Sequence, residues 1–165
     1  MHFSESLEYP APIDTVDRML ADPDYIAGRF DIPGVLDPDT SVSEEDGRVT
    51  STFTSHVDTD KLPDIAARFV KSDTTVTITE TWEPRQGDTR RGTLSVKVSG
   101  IPVKLEAQSV LTAEGETTKR TVEGDLEVKI PLVGKRVEAK AVEYVPRLLA
   151  FESDAARAYL ESHPE

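Results

Sequence analysis

Residues 74–130 read TTVTITETWEPRQGDTRRGTLSVKVSGIPVKLEAQSVLTAEGETTKRTVEGDLEVKI, and three turns within them fix a strand register without appeal to hydrophobicity. Gln86-Gly87-Asp88 joins two alternating runs, while Gly100-Ile101 and Gly115-Glu116 put glycine first in two-residue loops, as a type II′ hairpin turn prefers. Continued across four strands, these turns align Val76 with Val98, Val103 and Val128, and Ile78 with Val96, Leu105 and Leu126. Every member of both rows is apolar. The opposite face carries Thr77, Thr79, Lys97, Lys104, Glu106, Glu127 and Lys129 and meets water. Slipping one strand by one residue would invert a whole face, so the agreement of turns and side chains predicts an antiparallel meander.

Working outward, Asp46-Gly47 is a hairpin signal ahead of the alternating run Arg48 to Val57, and the weakly patterned Asp37 to Asp46 suits an exposed edge strand. Phe3 to Tyr9 has the period of a half-buried strand, stopped by Pro10 and Pro12. Ile13, Val16 and Leu20, then Tyr25, Ile26 and Phe30 behind the capping pair Asp22-Pro23, give two short helices. Leu62, Ile65, Ala66 and Phe69 make a turn or two of helix that interrupts the meander. After Pro131 the period changes. Val133, Val137, Ala141, Tyr144, Val145, Leu148, Ala155, Ala156 and Tyr159 form the stripe of an amphipathic helix from Leu132 to Ser162, roughly 46 Å long at 1.5 Å per residue. Pro146 removes a hydrogen bond to the Val142 carbonyl and should kink it.

The chain has 165 residues, enough for one domain over residues 1–165, and carries 31 acidic against 19 basic side chains, a formal charge of −12. Such a balance offers no obvious source of the phosphate neutralisation that dominates nucleic-acid affinity, so no nucleic-acid partner is expected. There is no cysteine, hence no disulfide, thiolate site or cysteine nucleophile. No basic and apolar leader opens the chain and no stretch is apolar enough to span a membrane, so a cytoplasmic location is expected. Residues 1–60 hold 14 acidic and 3 basic groups. That is either a solvated surface or a field that repels anions near an opening these residues border.

Strand, two short helices, a six-stranded meander and a long C-terminal helix follow the order of the helix-grip fold. The chain therefore resembles the START-like (SRPBCC, Bet v 1-like) superfamily over essentially its whole length. The resemblance implies an α+β domain in which a curved antiparallel sheet of about seven strands, in the order β-α-α-β6-α, wraps around the kinked helix. Thr81-Trp82-Glu83, Ser99-Gly100-Ile101-Pro102-Val103 and Lys129-Ile130-Pro131-Leu132-Val133-Gly134-Lys135 are similar to stretches of an uncharacterised, mainly actinobacterial family within it. What the resemblance implies is a cavity between sheet and helix, which in relatives holds lipids, sterols, polyketides or aromatic metabolites; it supplies no catalytic residues.

The register also places two rows where the apolar filling thins: Glu80, Leu94, Ala107, Gly124, and then Trp82, Gly92, Ser109, Val122. Glycines there either mark a bend or leave volume beneath the helix, and Glu80 either snorkels outward or projects into that volume. An inward Glu80 must protonate, pair or meet polar ligand groups, because an isolated buried charge costs several kcal/mol. Arg120 shares the inward phase and is its candidate partner; Glu152, in a gap of the helix stripe, is a second internal carboxylate. The pair Arg120–carboxylate either closes a cavity end or orients a ligand group. Phe53, Ile78, Trp82, Tyr144 and Leu148 are wall candidates, and Ile65 and Phe69 either cap a mouth as a lid or form a satellite cluster.

His2, His56 and His163 lie far apart in sequence, with His56 on the solvent side of its strand, and no nucleophile elbow or phosphate loop is present. No catalytic, metal or cofactor residue is assigned. The leading expectation is binding of a hydrophobic or amphipathic small molecule such as a lipid, polyketide or aromatic metabolite. The alternatives are a cyclase- or hydratase-like enzyme using Glu80 or Glu152 as acid or base, and a protein-interaction module.

Overall fold

The computed structural model describes residues 1–164. Strand β1 (His2–Tyr9) is followed by helices α1 (Ile13–Leu20) and α2 (Pro23–Arg29), strands β2 (Val35–Glu45) and β3 (Arg48–Val57), a 3₁₀ turn (Thr59–Lys61), the single-turn helix α3 (Asp64–Ala67), strands β4 (Thr75–Trp82), β5 (Thr89–Val98), β6 (Val103–Glu114) and β7 (Thr117–Val128), and helix α4 (Gly134–Ser162). The strands form one curved antiparallel sheet in the order β1-β7-β6-β5-β4-β3-β2, with the long helix against its inner face. This α+β arrangement is the helix-grip fold.

The register is the one the turns dictate: Val76 pairs with Val98, Ile78 with Val96, Val96 with Leu105, and Val103 with Val128. From Thr118 on, strand β7 alternates strictly, with Thr118, Arg120, Val122, Gly124, Leu126 and Val128 buried and the residues between them exposed. Two of the turns are built differently from expectation. Gly87 and Asp88 sit inside an isolated Gln86–Thr89 bridge, and the Val98 carbonyl accepts from Ile101 N, which puts Gly100 (φ 72°) third in its turn. Asp46 and Gly47 are both left-handed, the type I′ geometry that closes β2 onto β3.

Asp22 caps α2 by accepting from Asp24 N. Helix α4 begins at Gly134 rather than Leu132, because Leu132 adopts φ 72° and a side chain at Gly134 would run into the Val128 carbonyl. It continues without a break through Pro146, about 44 Å at 1.5 Å per residue.

Packing is uneven along the strands. The main core gathers at the end where α1 and α2 lie: Tyr9, Ile13, Val16, Met19, Leu20, Tyr25, Ile26, Val49, Trp82 and Leu111 are almost completely enclosed. At the other end Val76, Ile78, Val96, Val98, Val103 and Leu105 are only half-buried. Of the two apolar rows, Leu126 and Val128 alone are buried. The segment that carries α3 contributes little, with Ile65 half-buried and Phe69 exposed.

Candidate functional site

The structure brings Glu80, Arg120 and Glu152 together and adds a residue sequence reasoning did not single out, Arg29. Arg120 Nη2 donates to Glu80 Oε2 at 2.8 Å and its Nη1 to Glu152 Oε1 at 2.7 Å. Arg29 Nη1 donates to Glu80 Oε1 at 3.0 Å and to Glu152 Oε1 at 3.4 Å. Two cations and two anions therefore balance inside the fold. Neutral donors and acceptors complete the shell: Trp82 Nε1 donates to Glu80 Oε1, the Tyr9 and Tyr25 hydroxyls donate to Glu152 Oε1, and Arg120 also donates to the Ser109 and Tyr9 oxygens. Among the described residues Arg29 Nε and Arg120 Nε find no acceptor, an omission that costs about 1–3 kcal/mol for a buried donor.

Burial opposes charge on Glu80, but the Arg29 and Arg120 guanidiniums outweigh it and hold the carboxyl well below the usual carboxylate range. Desolvation likewise works against Arg29 and Arg120, and the facing carboxylates reverse it, Glu80 first for Arg29 and Glu152 first for Arg120. Burial and the nearby Glu152 push the Tyr9 and Tyr25 hydroxyls up, so both remain protonated donors.

The small residues expected to leave an open interior do not. A side chain at Gly92 would strike the Trp82 ring at 2.6 Å, so the indole itself lies over that glycine. A side chain at Gly124 would meet the Ala107 Cβ at 2.7 Å and the Glu106 carbonyl at 2.5 Å, so this glycine permits close strand contact. Arg120 stacks over the indole with 5.1 Å from its Cζ to the ring centroid. Phe53, paired with Ile78 on the neighbouring strand, packs against Phe30, centroids 4.4 Å apart. The row of Trp82, Gly92, Ser109 and Val122 is thus filled, by an aromatic ring and a guanidinium.

Open apolar surface lies one step further along the strands. The stripe of α4 that includes Val142, Val145 and Leu149 packs with Leu94, Leu105, Ala107 and Val122. One flank of the helix, with Pro146, Ala150, Ser153 and Arg157, faces β1 across a groove of about 490 Å³ whose walls include Glu5, Ser6 and Glu8. The other flank ends in Tyr159, whose ring meets Tyr25 of α2 edge-on at 5.7 Å. Tyr144 and Leu148 occupy that same flank nearer the helix start, beyond the reach of α2, and are 44% and 43% exposed. On the sheet, Ile78, Val96 and Leu105 are likewise only half-buried. Both surfaces are apolar and incompletely covered, whereas the Glu80–Arg120–Glu152–Arg29 cluster is enclosed.

Asp22, Asp24 and His163 also bring one ligand atom each within 4.8 Å of one another. Asp22 is already engaged by Asp24 N and by the Tyr159 hydroxyl, whose pKa is pushed up to about 12 by burial and this acceptor, while His163 stacks on the Tyr159 ring.

The family model described as "Protein of unknown function (DUF2505)" matches residues 4–160. The chain belongs to the DUF2505 family. No curated protein matches this DUF2505 chain. Among solved structures it is similar to TTHA0849 from Thermus thermophilus (19% identity, TM-score 0.60, covering 96% of this chain and 99% of that one) and to a START superfamily protein from Mycobacterium smegmatis (18%, TM-score 0.58, 96% and 98%). It is also similar to norcoclaurine synthase from Thalictrum flavum, solved with dopamine and hydroxybenzaldehyde (12%, TM-score 0.59, 100% and 88%). At these identities the likeness is one of fold. No helix among the described residues is long and apolar enough to cross a membrane.

Proposed function

We propose that this chain binds one hydrophobic or amphipathic small molecule, such as a lipid, polyketide or aromatic metabolite, in the groove between β4–β6 and the first half of α4. The observation that carries the reading is a pair of incompletely buried apolar surfaces: Val76, Ile78, Val96, Val98, Val103 and Leu105 on the sheet, Tyr144 and Leu148 on the helix. Side chains of this kind at mid-sheet positions are ordinarily covered, and an uncovered contiguous apolar surface marks a site for something else to fill. Leu94 lies at the boundary between groove and plug, and Glu80, Trp82, Ser109, Arg120 and Glu152 form the floor. Ligand-binding relatives of the same fold, including the synthase holding two aromatic compounds, favour this use of the space. The second groove, beside β1, has polar walls and suits such a ligand less well.

Acid–base catalysis by Glu80 is the weaker reading. Its carboxylate is enclosed and held ionised by two guanidiniums, which suits neither a general acid nor a base at neutral pH. The test is titration with 8-anilinonaphthalene-1-sulfonate, together with solvent extraction and mass spectrometry of protein purified from its native host. Wild type should bind the dye saturably and release a hydrophobic compound, whereas Val96→Trp, which fills the groove, should do neither. Equal dye binding by both proteins would remove the groove as the site.

A further inference from the structure

The loop joining β7 to α4 contains the most exposed large apolar side chain among the described residues. Leu132 is fully solvent-exposed, at 101% relative accessibility, and holds φ 72°. A left-handed backbone costs an L-residue roughly 1–2 kcal/mol, and here neither the strain nor the exposure is repaid by contacts within the chain. Glycine would fit the same backbone freely. A strained position occupied by leucine and aimed at solvent is a functional feature in search of a partner.

What surrounds Leu132 identifies that partner. Lys129 N donates to the Pro102 carbonyl at 3.0 Å, so the β7–α4 loop lies beside the β5–β6 turn. Residues 97–104 and 129–136 together contain Lys97, Lys104, Lys129, Lys135 and Arg136 and no acidic residue. Five cations without an anion in either stretch stand out in a chain of net charge −12. All five are exposed. Lys129 and Lys135 each reach a carboxylate just outside these stretches, Glu127 and Glu138, at 3.5 Å, with the ammonium ends in solvent, where such pairs hold weakly. The neighbouring connection, residues 58–74, carries Asp58, Asp60, Asp64 and Asp73 against Lys61, Arg68 and Lys71 and is close to neutral. It reaches the same end of the sheet, since Ser99 N donates to the Thr75 carbonyl. Glu127 also stands directly opposite Lys104, with the Glu106–Asp125 pair two residues further along the strands; the rest of the acidic excess lies elsewhere, and at physiological ionic strength charges more than about 8 Å away are largely screened.

We propose that this end of the molecule docks on an anionic lipid bilayer, with Leu132 inserted at the level of the headgroups and Lys129, Lys135 and Arg136 lying against the lipid phosphates. An apolar tip ringed by cations is the chemistry of interfacial attachment, each cation near an anionic surface contributing about fivefold in partitioning. An acidic protein would attract the cations equally but would not favour a single leucine projecting by itself on strained backbone, for which a fluid apolar phase is the natural receptor. The docking surface stands on these residues alone and holds whether or not the proposed groove takes a ligand.

The experiment is flotation of the full chain with phosphatidylglycerol-rich vesicles and, separately, with pure phosphatidylcholine vesicles, at low and physiological salt. The wild type should float with the anionic vesicles, be released as salt rises and ignore the neutral ones. Leu132→Asp should lower partitioning at least tenfold, and Lys129→Gln with Lys135→Gln about twenty-five-fold. Because all three side chains are exposed, circular dichroism melting curves should match wild type or improve on it. Failure of wild type to float with anionic vesicles at low salt overturns the proposal. So does flotation that survives both sets of substitutions. Capture by a polyglutamate resin with no vesicle binding would transfer the cations to an acidic protein partner and overturn it as well.

Discussion

Replacing Glu80 by glutamine removes one of the two carboxylates that face Arg29 and Arg120, leaving both buried guanidiniums to share Glu152. The carboxylate accepts from Arg29 at 3.0 Å, Arg120 at 2.8 Å and Trp82 at 2.9 Å, and a carboxamide can match only part of that set while turning an NH2 towards a cation. Breaking a buried pair on one side costs about 3–5 kcal/mol, which for a domain of this size lowers Tm by roughly 10 °C. Arg29→Met alone should cost a similar amount, since it leaves two carboxylates on one cation. The double variant restores balance through the surviving Arg120–Glu152 pair, 2.7 Å apart, and should be milder than the two losses combined. Urea unfolding followed by fluorescence of Trp82, the chain's one tryptophan, reads all three directly because the indole is bonded to Glu80. Losses that add to within about 0.5 kcal/mol in the double variant would refute the idea that these charges act as one unit.

Three further outcomes follow from the same geometry. Because the folded Glu80 carboxyl lies below its unfolded value of about 4.3, its stabilisation is complete above that pH and is lost as pH falls through the folded value; the urea midpoint should therefore drop below about pH 4, and Glu80→Gln should flatten that slope. Gly124→Ala should cost about 1–3 kcal/mol, because the new methyl meets backbone that cannot yield, and a thermal melt unchanged from wild type would contradict the packing described. Leu132→Gly should raise stability by up to about 1 kcal/mol through relief of the left-handed backbone while weakening vesicle binding.

The sheet was legible because β4 to β7 repeat one message at two levels, turn residues and alternation, and every pairing from Val76–Val98 to Val103–Val128 follows from it. Glu80 and Arg120 were legible for the same reason: period-two phase puts them inward, where the sequence offers few other polar groups. Arg29 was missed although it stands three and four residues after Ile26 and Tyr25, on the stripe α2 buries. A charged residue in that phase reads as the solvent edge of a short helix unless its partners on β4 and α4 are already known. Tyr9 and Tyr25 were read as apolar, since nothing local says where a hydroxyl finds its acceptor 143 or 127 residues away. The distribution of space was inverted for a related reason. Small residues suggest room, but Trp82 and Arg120 reach across from neighbouring strands to occupy it, while Val76, Ile78, Val96, Val98 and Val103 of the other rows are larger and yet only half-buried. Side-chain size at one position does not report the separation of the surfaces that carry it.

The central claim is that the space beside Tyr144 and Leu148 is a binding groove rather than a loosely packed core. Methyl-detected NMR during titration with 8-anilinonaphthalene-1-sulfonate tests it most directly. The account predicts that signals of Val76, Ile78, Val96, Leu105 and Leu148 shift together and saturate at one equivalent, while Val16, Leu20 and Leu111, sealed in the core beneath α1 and α2, stay in place. Shifts that never saturate, or that fall on the β1 side of α4 around Leu7 and Leu149 instead, would contradict it.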